Sequence, residues 1–279
     1  MRARSVIRDL VVLAVVLGAA LGLSVAVVRA LGGRRAAAPA AGEARPIVRA
    51  AERHLRDMAL RSLEPQLERS PEVAGAIEAV GARVLTGLDR PPKDGDLEIL
   101  VLDSATVNAF TFPGGLVVVC AGLVRALESA DELAAVVAHE VAHVVHRDAA
   151  RSIGWQLGLS AALTVLGGRE AEVLLQRRLG EVISMHYSRE VEQRADATAL
   201  RTLEAAGIDP GALADAFGRL ENEGEARDRP AVMQYLASHP DLGDRIERAR
   251  AASREAGARA AVAWQPVDPQ VWARLRAAL

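Results

Sequence analysis

Hydrophobic and polar residues alternate with different rhythms along this chain of 279 residues. Leu10 to Val28 carries no charged residue and no period. A run of that length crosses a hydrocarbon core of about 30 Å as a helix. Arg2, Arg4 and Arg8 precede it, and Arg29, Arg34 and Arg35 follow. Small residues, Gly and Pro then dominate up to Pro46, as in a linker. From Ile47 to Leu88 the apolar positions recur with helical spacing, and Pro65 and Pro71 divide the stretch.

The rhythm then shortens. "DLEILVLDS" (96–104) and "VNAFTFPGG" (107–115) alternate like half-buried strands, and "LVVVCAGL" (116–123) is β-branched enough for a third. From Ser129 the helical spacing returns. Ser129-Ala-Asp-Glu132 matches a capping box and opens a helix predicted to run to about Arg151. Residues 153–168 are apolar but short for a membrane span. A helical pattern from about Glu170 ends near Gly207, and further helices are predicted over 211–222, 231–237 and 242–256, with a short one in the tail. The pattern predicts a mainly α protein with a small sheet, α+β in class, behind an N-terminal anchor. Its organisation reads as a basic flank (1–9), an anchor or signal segment (10–28), a linker (29–46), a folded domain (47–260) and a C-terminal tail (261–279).

Composition narrows the function. A net charge of −2 gives no electrostatic reason to bind nucleic acid. The single cysteine, Cys120, excludes an intramolecular disulfide and a cysteine-rich metal site. Aromatic residues are only 3% of the chain, so the core must be mostly Ala, Val and Leu. The apolar run at 10–28 is longer than a usual signal-peptide core, which favours a retained anchor; secretion after cleavage is the alternative.

The chemistry concentrates in "VVAHEVAHVVH" (136–146). His139-Glu140-Val141-Ala142-His143 is an H-E-x-x-H motif. Residues four apart share a helix face, so both imidazoles can reach one ion. Glu140 sits beside the first and can take a proton from water at an open zinc position. His146 lies about 10 Å along the helix axis from His139, which suits a neighbour better than a ligand. A third donor must come from elsewhere, with Glu170, Glu172, Glu181, Glu190 and Glu192 as candidates. Glu192 stands out because Asp196 follows four residues later, among the small residues Ala195, Ala197 and Ala199. Small residues let two helices approach, and Asp196 could accept from the far nitrogen of a ligating imidazole. The competing assignment for both carboxylates is a salt bridge to Arg189 or Arg194.

"NAFTFPGGLVVVCAGLVRAL", "ELAAVVAHEVAHVVHRD", "SREVEQRADATAL" and "SHPDLGDRI" occur in this order. Together they resemble the HtpX-like and Oma-like zinc metallopeptidases, peptidase family M forty-eight, over roughly residues 47–255. The resemblance implies a gluzincin-type core holding one Zn2+ per chain on His139, His143 and Glu192, with Glu140 as base. It implies Asp196 behind the site and Asn108, Ala109 and Phe110 beside the substrate cleft, where an extended peptide could pair with a strand. His239 of Ser-His-Pro would stabilise the oxyanion or close the zinc at rest, or else serve only as a helix-start residue. Arg245 would pair with a site carboxylate. HtpX and the prenyl proteases have several membrane spans, whereas this chain has one candidate, so a compact, periplasmic or Oma-like type is implied. The expectation is an endopeptidase acting on misfolded or misassembled envelope proteins, anchored in a bacterial inner membrane with its domain in the periplasm, or secreted there. The alternative is a metal-binding, chaperone-like module with little turnover.

Overall fold

Proline and serine set the first helix boundaries. Helix α1 (Pro46–Leu63) runs into a 3-10 turn at Glu64–Gln66 that contains Pro65. Helix α2 (Pro71–Leu85) starts where the Ser70 side chain accepts from the N–H of Val73 and Pro71 occupies the first turn. The computed structural model describes residues 46–92, 95–152, 187–225, 235, 238–239, 241–259 and 264–279. The apolar run at 10–28, most of the linker, residues 153–168 and 170–186, and most of 231–237 lie outside the described residues. Among the described residues no helix is long and apolar enough to cross a membrane.

Among the described residues the sheet has three strands: β1 (Glu98–Leu102), β2 (Ala109–Phe112) and β3 (Leu116–Cys120), in the order β1-β3-β2. β1 pairs parallel with β3, and β2 pairs antiparallel with it. The β2–β3 turn is Pro113-Gly114-Gly115, with both glycines at positive φ. A Cβ on Gly115 would fall 1.8 Å from the carbonyl oxygen of Asp96, so this turn requires glycine. β3 ends earlier than its β-branched run predicts. Gly122 donates to the carbonyl of Ser104 at 2.8 Å, and a Cβ there would meet the carbonyls of Ala105 and Thr106. The chain therefore turns into helix α3 (Ala121–Ala126) at once.

Helix α4 (Ala130–His146) is capped by Ser129, which accepts from the Glu132 N–H at 3.1 Å. Glu132 reaches back to the N–H of Glu128 rather than of Ser129. The helix stops short of the predicted Arg151. Arg147 takes the left-handed conformation (φ 56°), donates its N–H to the carbonyls of His143 and Val144, and pairs with Glu52 of α1. Helix α5 (Arg189–Ala205) also differs from the long helix predicted over 170–206. It starts afresh at Ser188, whose side chain accepts from the Val191 N–H. Helices α6 (Gly211–Glu225), α7 (Leu242–Arg259) and α8 (Pro269–Ala278) follow.

Helix α4 is the centre of the fold. It packs against α2, α5, α6 and strands β2 and β3, and Val136, Val137 and Val141 are fully buried. Ala195 and Ala199 are buried on α5, which allows the close α4–α5 approach, while Ala197 faces solvent. Helix α8 lies on α2, with Val271 and Leu275 buried in the main core. A second apolar cluster joins Ala59 and Leu63 of α1 to Phe110, Phe112 and Leu116 of the sheet.

Candidate metal centre

One turn of α4 and one turn of α5 face each other across the packed interface. His139 and His143, four residues apart, point their Nε2 atoms to within 3.1 Å of each other. Glu192 of α5 brings its carboxylate to 3.5 Å from His139 Nε2 and 3.4 Å from His143 Nε2. His239 completes the group: its Nδ1 lies 3.1 Å from both Glu192 oxygens and 3.4 Å from His139 Nε2. All four residues are buried, and their donor atoms lie within 4.8 Å of one another. Four donors each about 2.0–2.1 Å from a tetrahedral zinc would stand about 3.4 Å apart. The separations of 3.1–3.5 Å just given match that spacing, and three nitrogens with one carboxylate are a donor set that suits zinc.

The outer nitrogens of the two α4 histidines are both occupied. His139 Nδ1 is 3.0 Å from Asp196 Oδ1, and His143 Nδ1 is 3.0 Å from Asp148 Oδ2. Each carboxylate favours a proton on Nδ1 and leaves the Nε2 lone pair facing the centre. Arg245 of α7 sits behind the cluster. It donates to both Asp196 oxygens at 2.7 and 2.8 Å, and pairs with Glu192 at 2.7 Å. Its guanidinium also lies 4.3 Å from the centre of the Phe217 ring. The competing partners for these carboxylates are engaged elsewhere: Arg189 on Asp241 and Arg194 on Asp148.

The electrostatics favour holding a positive charge here. Burial pulls the His139 and His143 pKa values down. Hydrogen bonds to Asp196 and Glu192, and to Asp148 and Glu192, outweigh it and raise both, His143 to about 9. Burial opposes ionisation of Asp196, but His139 and Arg245 hold its pKa down at about 2. Glu192 is likewise held far below the usual carboxylate range: burial raises it, and His239, His139 and His143 more than reverse that. His239 itself is lowered, mainly by burial, despite the pull of Glu192. Four carboxylates surround the imidazoles, and a cation at the point where the lone pairs converge would balance them.

Glu140 is 1% exposed. Its Oε2 accepts from Thr111 of β2 at 2.8 Å, and Oε1 lies 3.6 Å from His239 Nε2. His146 stands outside the group, with Nε2 2.9 Å from Thr198 Oγ1. The three candidate cleft residues divide. Ala109 is buried on the α4 side, Asn108 is fully buried with neither amide atom hydrogen-bonded among the described residues, and Phe110 turns away to pack edge-on against Phe112. Among the described residues β2 is an edge strand. The bond from Cys120 N–H to Asn108 O puts residues 108 and 110 in register with β3, so the N–H and C=O groups of Ala109 and Thr111 point to the free edge.

Sequence reasoning did not find Asp148 or Tyr187 as parts of the site, and it gave Thr111, within the segment 108–115 expected beside the cleft, no role of its own. Asp148 has a weak signal, a carboxylate five residues after His143 just past the end of the helix. Tyr187 stacks on His143 with ring centres 4.3 Å apart; only its place just before the Ser188 cap hints at this.

The family model described as Peptidase family M48 matches residues 71–253. The chain is 33% identical over 143 residues to mitochondrial metalloendopeptidase OMA1 of Arabidopsis thaliana, covering 51% of this chain and 29% of that protein. It is 32% identical over 158 residues to the Schizosaccharomyces pombe protein of the same name, covering 54% of this chain and 45% of the other. It is 28% identical over 165 residues to the beta-barrel assembly-enhancing protease of Escherichia coli, covering 54% and 33%. The matches thus span less than half the length of these relatives.

Proposed function

Because the chain belongs to Peptidase family M48, we propose that it is a zinc-dependent endopeptidase with His139, His143 and Glu192 as metal ligands and Glu140 as general base. The observation that carries this reading is the buried His-His-Glu-His group with the Glu140 carboxylate beside it. Bound zinc would supply a Lewis acid for the scissile carbonyl and acidify the attacking water. Glu140 takes the proton of that water at Oε1 and returns it to the nitrogen of the leaving amine. Asp196 and Asp148 hold the two imidazoles in the ligating tautomer, and Arg245 fixes Asp196 and Glu192 in turn. An extended polypeptide adds to the free edge of β2 through the N–H and C=O of Ala109 and Thr111, beside Asn108 and Phe110.

His239 serves as a fourth donor at rest and gives up that place when substrate arrives; its Nδ1 within 3.4 Å of His139 Nε2 supports this role. The finer assignment is quality control of misfolded or misassembled envelope proteins by a domain tethered through residues 10–28. Support comes from relatives named as a beta-barrel assembly-enhancing protease and a mitochondrial metalloendopeptidase.

Incubation with an unfolded polypeptide tests the reading. Wild type cleaves it. Glu140→Gln loses about 100-fold or more of the rate and keeps its zinc. Equal effects of wild type and Glu140→Gln on client proteins would instead favour a chaperone-like module. His239→Ala raises the rate if the histidine closes the site at rest, and a fall in rate would assign it to the oxyanion.

A further inference from the structure

Strand β2 and helix α4 meet at a buried polar contact between Thr111 and Glu140. The Thr111 hydroxyl lies 2.8 Å from Glu140 Oε2 and 3.2 Å from the Glu140 carbonyl oxygen. A hydroxyl has one proton to donate, and the shorter, charge-assisted contact takes it. Both residues are buried, Thr111 at 5% and Glu140 at 1% exposure. The other carboxylate oxygen, Oε1, has no hydrogen-bond partner among the described residues and faces His239 Nε2. One oxygen of the carboxylate is thus anchored and the other is open toward the metal centre.

Packing alone does not call for a hydroxyl at this position. Thr111 shares the α4 side of β2 with Ala109, which is packed with Val119, Val136 and Val137 in the main core. A valine would have the same branched shape but would leave Glu140 Oε2 buried without a donor. We propose that Thr111 is a positioning residue for Glu140, resting on the endopeptidase reading above. Its hydrogen bond fixes the rotation of the carboxylate, so Oε1 is the oxygen presented to the attacking water. Because the bond comes from β2, it also ties the base to the strand whose free edge receives the peptide. Substrate register and base position are then set by one element.

The test compares Thr111→Val and Thr111→Ser in two measurements. In zinc-loaded protein, Thr111→Val lowers kcat about tenfold with KM and zinc content unchanged, while Thr111→Ser keeps most of the rate. In metal-free protein, Thr111→Val lowers the melting temperature in the wild-type background and by clearly less in a Glu140→Ala background. Thr111→Ala replaces the valine variant if that one does not fold. An active wild type with unchanged kcat in Thr111→Val, or equal melting shifts in the two backgrounds, overturns the assignment. A wild type that cleaves nothing overturns the peptidase reading, and the melting comparison still decides whether the hydroxyl holds Glu140.

Discussion

The two ends of helix α4 both bury charge, but they do so on different terms. At the N-terminal end, Glu132 is met by the N–H of Glu128 and by Arg219 of α6, with two guanidinium contacts at 3.0 Å. Arg219 also pairs with Glu128. Each charge there has an opposite partner and the group is closed. At the C-terminal half, three imidazoles and the carboxylates of Glu140, Glu192, Asp196 and Asp148 crowd together, while Arg245 is the buried cation among them. Lone pairs converge on one point, and Glu140 Oε1 has no hydrogen bond among the described residues. A closed ion pair stabilises a helix start. Converging donors at the spacing of a zinc tetrahedron mark a site that a cation completes.

Substitutions at the two ends sharpen the contrast. Arg245→Met leaves Glu192 and Asp196 buried without their cation, and should destabilise the protein by about 3–5 kcal/mol, measured by denaturant unfolding. The next effect concerns acid. The folded pKa of Asp196 is held at about 2, below its ordinary 3.8. A depressed carboxylate contributes stability that is complete above the unfolded pKa and lost as pH falls through the folded one. Between about pH 5 and pH 2 the protein should therefore lose roughly 2 kcal/mol through this group, and Asp196→Asn should flatten that part of the profile. Arg219→Met is the smallest change, roughly 1–2 kcal/mol, because part of its side chain is in water. If Arg219→Met proved as damaging as Arg245→Met, the two ends would not differ in kind.

The parts of this site that could be read from the sequence are those written in local helical spacing. His139, Glu140 and His143 lie within one turn of each other, and Glu192 and Asp196 are four apart on α5. The capped starts at Ser129 and Ser188 are equally local, although the second was hidden within a longer helical pattern. Asp148 could not be read this way. Its position depends on the left-handed Arg147, which a contact with Glu52, far back in α1, helps to hold. Thr111 depends on which face of β2 meets α4, and that follows from the β1-β3-β2 order rather than from alternation alone. The early end of β3 has the same origin, since Gly122 packs on carbonyls from the preceding loop.

His139, His143, Glu192 and His239 converge as a group that could hold a zinc ion. Metal analysis of the wild-type chain, purified without chelator, tests it most directly. About one zinc per chain is expected, lost when His143 is replaced by Ala. Less than about a tenth of an equivalent, with no uptake on titration, would contradict it.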